Sequence, residues 1–183
     1  MCSFRHWPLV LVLIILAGCG NNLGPSDSDK RPASELTNAV TNTIGPSVGD
    51  TAPSFTLEDT NYASVSLSSA LAGKKAVVLY FTMWCPICDT HMSDMRDNTI
   101  PLFPDVAFYL VDYVSGSVAA ARSSQLSNGY GDIDVLADVD QTVLGLYSAT
   151  MGSTVVINSG GVVLMNEDYN TGSKLRTVLS GLP

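Results

Sequence analysis

Apolar and polar positions divide the 183-residue chain into three stretches of different character. Residues 9–16 form an unbroken apolar run, and residues 20–48 are rich in Asn, Ser, Thr and Pro with few large apolar groups. From residue 49 onward, short β-branched runs alternate with helix-length amphipathic stretches, the pattern of an α/β sheet protein. The alternation predicts short strands at 54–57 and 64–67, then a strong central strand at 76–82 and a helix running to residue 98. A strand at 106–112, a helix at 118–126, a short strand at 134–136 and a helix at 141–146 come next. Strands at 154–157 and 162–165 flank Asn158-Ser159-Gly160-Gly161, whose glycines supply the positive φ of a tight hairpin, and a last helix covers 173–179.

Length and composition fit a single domain, because 183 residues with 46% hydrophobic content bury one core. The formal charge of −8 excludes an electrostatic grip on nucleic acid, which needs clustered Lys and Arg. The apolar run at 9–16 follows Arg5 and is too short to span a bilayer permanently, so it reads as a secretory leader. It ends in Leu16-Ala17-Gly18-Cys19, which resembles the lipobox of bacterial lipoproteins. That resemblance implies cleavage before Cys19 and a diacylglyceryl group on its thiol. Residues 1–18 are then a leader, 19–48 a lipidated Cys with a flexible tether, and 49–183 the folded domain. The tether is too polar to offset its chain entropy by burial, and at roughly 5–6 Å times the square root of its length it spans on the order of 30 Å. The expected location is the bacterial cell envelope, lipid-anchored and facing the periplasm or extracytoplasmic side.

With Cys2 in the leader and Cys19 lipidated, the folded domain keeps Cys85 and Cys88. They stand in Trp84-Cys85-Pro86-Ile87-Cys88, where the central strand hands over to a helix. Unpaired N–H groups and the helix dipole favour an anion there, so Cys85 is expected to ionise and attack a disulfide. Cys88, one turn on along the same face, is placed to resolve the mixed disulfide. Pro86 suits a first turn, where its missing N–H is not needed. Three other readings compete: a structural disulfide, half of a zinc site, or a coincidence of two core cysteines. A structural disulfide would close too short a loop to restrict the unfolded chain much, and a zinc site needs a second ligand pair where only His91 is offered. Dithiol exchange itself requires no cofactor and no metal.

The run from Val77 to Cys88 resembles the active-site strand and helix start of the thioredoxin superfamily. Gly49-Asp50-Thr51-Ala52-Pro53-Ser54-Phe55-Thr56-Leu57 is similar to the opening of its TlpA-like and peroxiredoxin-like branch. The resemblance implies a thioredoxin-like fold, a central mixed β-sheet flanked by helices. It also implies a TlpA/ResA-like, membrane-anchored thiol-disulfide oxidoreductase, related to the alkyl hydroperoxide reductase and thiol-specific antioxidant proteins. Such a protein exchanges disulfides with protein substrates, most often as a reductant, and draws on a membrane electron donor or acceptor.

Several positions depart from the family pattern. His91 stands where relatives carry a Glu that tunes the thiols, so it is the expected proton acceptor and donor beside Cys85, and Ser93 replaces a Pro. Met151-Gly152-Ser153 stands where relatives place Thr and a cis-Pro, so a trans bond is expected there, with Gly152 adopting the unusual dihedrals. Leu79 replaces a buried Asp of thioredoxin. The expected substrate groove comprises Trp84, Pro86, Ile87, Met151, Gly152 and Ser153.

Two other functions fit parts of the pattern. Cys85, Cys88, His91, Met92 and Met95 make a soft ligand set suited to Cu(I). Thr82, three residues before Cys85, matches part of a thiol-peroxidase motif, although Val78 replaces the Pro of that motif.

Overall fold

All seven residues of β3 (Ala76–Thr82) are buried, as befits a strand in the interior of the sheet with a neighbour on each side. The computed structural model describes residues 43–183; the expected leader, the expected lipidation site at Cys19 and the expected tether up to residue 42 lie outside the described residues. Along the chain come β1 (Thr56–Asp59), β2 (Ser64–Ser66), α1 (Leu67–Leu71), β3, α2 (Pro86–Asn98), a 3-10 turn (Ile100–Leu102) and β4 (Val106–Asp112). They are followed by α3 (Val118–Ser127), β5 (Asp134–Ala137), α4 (Thr142–Leu146), β6 (Ser153–Asn158), β7 (Val163–Asp168) and α5 (Ser173–Ser180). The seven strands form one mixed sheet in the order β2-β1-β5-β4-β3-β6-β7. β3, β4 and β5 run parallel, while β6 lies antiparallel on the other side of β3.

The period-two alternation of a strand divides β3 between two cores. Ala76, Val78 and Tyr80 face a layer containing Cys88, Met92 and Met95 of α2 and Leu175 and Leu179 of α5. Val77, Leu79 and Phe81 face the opposite layer, with Leu67 and Ala70 of α1 and Val143 of α4. The β6–β7 hairpin turns where expected: Asn158 Oδ1 accepts the N–H groups of Gly160 and Val162, and Gly161 takes φ +76°.

Two expectations shift. The first strand starts two residues later than predicted, and the second stops at Ser66 because a capping box begins a helix there. Ser66 Oγ accepts the Ser69 N–H at 3.1 Å and the Ser66 N–H reaches Ser69 Oγ at 2.9 Å, so Leu67 opens α1 instead of closing a strand. The packed chain also begins before residue 49. Thr43 and Gly45 exchange backbone hydrogen bonds with Thr51, and Gly49 donates to Val163 of β7. Residues 43–49, expected to close the tether, therefore line the edge of the sheet.

Candidate active site

Cys85 is the N-cap of α2: it is extended, its Sγ accepts the Cys88 N–H at 3.2 Å, and Pro86 occupies the first turn. An anionic sulphur is favoured there, because the free N–H groups and the helix dipole point at it. Cys85 is half-buried, whereas Cys88 is 0% exposed, and both are free thiols. Burial opposes charge on either sulphur. Against it, the hydrogen bond shared by the two thiols, backbone groups around them and the Thr82 hydroxyl hold a single thiolate. The pair therefore releases its first proton below the ordinary thiol value and its second above it.

On one flank the chain enters α2 through Trp84, at φ +59°, a left-handed conformation that costs about 1–2 kcal/mol in a residue with a side chain. Three contacts hold it. The Trp84 N–H donates to Thr82 Oγ1 at 3.1 Å, Trp84 Nε1 donates to Asp112 Oδ2 at 2.7 Å, and the indole packs against Tyr130. Asp112 is 2% exposed and also accepts the N–H groups of Val114 and Ser115 and the Ser115 hydroxyl. The parallel register of β3 and β4 pairs Thr82 with Asp112, which delivers the carboxylate to the indole. Tyr130 is fixed in turn by donating to Asp89 Oδ1 at 2.6 Å.

On the other flank His91 follows Cys88 by one turn. Its Nδ1 lies 3.0 Å from the Tyr80 hydroxyl, and its ring packs against Tyr169 with centroids 5.0 Å apart. Tyr80 is fully buried in the layer that holds Cys88. Burial and then the nearby sulphurs hold this phenol far above its ordinary range. Burial pushes His91 below the ordinary imidazole value against the opposing pull of Asp94 and Asp168. His91 is thus brought to Tyr80, which shares its buried layer with Cys88.

Of the expected groove, Pro86 and Ile87 are exposed beside Cys85, joined by Met83. Met151 packs on the layer that holds Cys88. Gly152 donates to Phe81 O at 2.9 Å and accepts the Tyr169 N–H at 2.8 Å, at φ +87° and close above His91. No described peptide bond is cis, so the bond ahead of Gly152 is trans as expected. Two expected groove residues point elsewhere: the Trp84 indole turns inward to Asp112, and Ser153 Oγ turns to Thr150 and Asp168. Leu79 packs in the opposite layer, and Met92 and Met95, the thioethers of the Cu(I) set, are each 1% exposed in the core.

Tyr80, Asp112 and Tyr169 were not singled out by the sequence. For Asp112 a signal existed, since a carboxylate closes an otherwise apolar buried run at 106–112. For Tyr80 it was fainter, a hydroxyl in a strand otherwise built of apolar residues and Thr82.

A model of the AhpC/TSA family matches residues 48–165. The thiol-disulfide oxidoreductase ResA of Bacillus subtilis is 29% identical over 119 residues, which make up 64% of this chain and 65% of ResA. The chain thus spans a little under two thirds of that relative's length. Among solved structures, a protein disulfide isomerase candidate from Bacteroides thetaiotaomicron matches at 24% identity and a TM-score of 0.63, covering 75% of this chain and 91% of its own. A secreted disulfide oxidoreductase of Mycobacterium tuberculosis matches at 20% identity and a TM-score of 0.54, covering 70% and 96%. These likenesses establish the thioredoxin-like fold.

Proposed function

The chain belongs to the AhpC/TSA family, and on that premise we propose that it is a thiol-disulfide oxidoreductase of the TlpA/ResA-like group, with Cys85 attacking and Cys88 resolving. One observation carries the assignment of roles. The Cys85 sulphur caps α2 within reach of solvent, while Cys88 sits fully buried one turn inward. A substrate disulfide can reach the first thiol and not the second.

The substrates are protein disulfides. Met83 and Ile87, 44% and 47% exposed, give Cys85 an apolar rim suited to a polypeptide, and Met151 and Gly152 close the other side. The direction is reducing, with electrons drawn from a membrane partner. Cys19 carries the lipid anchor, and the domain works in the cell envelope on the extracytoplasmic side. The apolar leader, the lipobox-like sequence and the likeness to ResA support this placement.

A fluorescent peptide disulfide tests the central reading. Cys85→Ser should abolish reduction of the peptide, and Cys88→Ser should accumulate a mixed disulfide at Cys85. Equal alkylation rates of the two thiols in the single variants would overturn the roles. Equilibration against glutathione buffers tests direction: a potential near about −270 mV supports a reductant, and one near about −120 mV an oxidant.

A further inference from the structure

Cys85 stands at one end of the sheet, and residue 43 meets the fold at the other. The Thr51 N–H donates to Thr43 O, Thr51 pairs with both Ile44 and Val162, and the Ala52 N–H donates to Gly161 O, so residues 43 and 44 lie beside the β6–β7 turn. In that turn the Ser159 N–H donates to Lys75 O, and the Lys75 N–H donates to Asp105 O ahead of β4. These segments form the base of the domain, where β3 and β4 begin. β3 separates Lys75 from the Cys85 end by about 25 Å at 3.3 Å per residue.

The base carries apolar and basic groups that the fold leaves uncovered. Ile44 and Leu102, 72% and 63% exposed, are two of the three most exposed large apolar side chains among the described residues. Lys74 and Lys75 enter none of the ion pairs of the described residues, which use Arg96, Lys174 and Arg176. The Lys74 ammonium donates to Pro104 O, and Lys75 is exposed. A cleft of about 230 Å³ lies between the loop ahead of β4 and the end of α5, lined by Leu102, Phe103, Pro104, Leu179 and Leu182 together with Lys75. Small-molecule sites begin at roughly 300 Å³, so this cleft is relief in a docking surface and not a ligand pocket. Charge points the same way. Asp50 and Asp105 offset the two lysines, while the remaining twelve acidic and four basic side chains of residues 43–183 leave −8 on the rest of the domain. An anionic surface repels that remainder and not the base.

We propose that the base docks reversibly on an anionic phospholipid bilayer, with Ile44 and Leu102 entering the headgroup layer and Lys74 and Lys75 meeting lipid phosphates. The bilayer is the occupant because of what precedes residue 43. The expected lipid site, Cys19, is joined to Thr43 by a polar segment whose composition gives it a span on the order of 30 Å, so the chain brings this end of the fold to the membrane first. A lysine close to an anionic surface is worth about fivefold in affinity. Two lysines and two apolar side chains make a weak contact, which tethering turns into an intramolecular one. A weak contact also suits the exchange reading above. The docked domain holds Cys85 away from the bilayer, toward soluble protein substrates, and the released domain can turn the same thiols to the membrane electron partner. Only this division of encounters rests on that reading; the docking does not.

The test places the full chain, through its own lipid, in vesicles of phosphatidylcholine alone or of equal parts phosphatidylcholine and phosphatidylglycerol. If mass spectrometry shows the chain to carry no lipid, it is mixed with the same vesicles from solution, so the docking is judged whether or not the anchor is present. A brief amine-reactive label measures each lysine, and an alkylating label measures Cys85. On phosphatidylglycerol vesicles Lys74 and Lys75 should react at least about threefold more slowly than on phosphatidylcholine alone, and added salt should restore them. Lys174 and Cys85 should react alike on both. Leu102→Ser and Lys75→Glu should each remove the protection of Lys74, while both variants reduce the peptide disulfide at the wild-type rate without vesicles. Equal labelling of Lys74 and Lys75 on the two vesicles overturns the docking, as does protection shared equally by Lys174 and Cys85, the mark of unoriented adsorption. A wild-type chain that protects its lysines but reduces no peptide overturns the exchange reading and leaves the docked face standing.

Discussion

The two flanks of the cysteine pair are built from different chemistry. On the Trp84 side, a buried carboxylate accepts four donors and holds the indole and the loop after β4 in one geometry. On the His91 side, an imidazole and two phenols meet beneath a glycine loop. The first flank fixes position, since every donor on Asp112 is matched and nothing there must change charge as disulfides exchange. The second contains titratable groups in contact with one another beside the buried thiol. A thiol pair that must be both held in place and titrated is served by dividing those tasks between its two sides.

The largest expected effect comes from breaking the fixed flank. Asp112→Ala leaves two backbone N–H groups, an indole N–H and a hydroxyl without their acceptor, and it frees a Trp84 backbone already in a costly conformation. We expect a loss of about 3 kcal/mol and a fall in Tm on the order of 10 °C. If the flank only positions, this loss should be nearly flat between pH 6 and 9 in chemical denaturation. A loss that changed sharply across that range would show that this flank does more than hold position.

Gly152→Ala probes the roof of the other flank with a smaller cost. The added Cβ would sit 3.7 Å from His91 Nδ1, ordinary contact, so the penalty comes from the backbone at φ +87°. About 1–2 kcal/mol is expected, seen as a lower denaturation midpoint with an unchanged slope. Because the loop is held to Phe81 and Tyr169 by backbone bonds, displacement should also disturb the Tyr169 packing on His91. Unchanged stability would mean that the loop adopts another conformation in solution.

How much of this was legible beforehand depended on the range of the interaction. The apolar run of β3, the helix start at Cys85 and the one-turn spacing to Cys88 are local patterns, and the structure places all three where the sequence did. His91 stood out as a departure from a resemblance, but its neighbour did not. Tyr80 is eleven residues away and reaches His91 only when α2 folds back over β3. Asp112 needed still more, the in-register pairing of β3 with β4 that sets Thr82 against it. Short elements were read less well for the opposite reason. Leu67-Ser68-Ser69-Ala70-Leu71 has too few residues to show a helical period, and the Ser66 cap decided its state.

The smallest expected effect is a slope. Burial depresses the His91 pKa in the folded chain below its ordinary value of 6.5, so between those two values the unfolded chain binds more protons. Stability associated with this site is therefore complete above the ordinary value and is lost as pH falls from about 6.5 toward the folded pKa. His91→Ala removes the titrating group and should flatten that part of the curve. Its stability relative to wild type should be poorest near pH 7.5, where the neutral imidazole still bonds Tyr80, and should improve toward pH 5. Urea midpoints of both chains at half-unit steps would resolve the trend. A difference that stays constant over that range would mean that His91 titrates like a solvated side chain, and the contrast between a fixed and a titrating flank would then have to rest on Tyr80 alone.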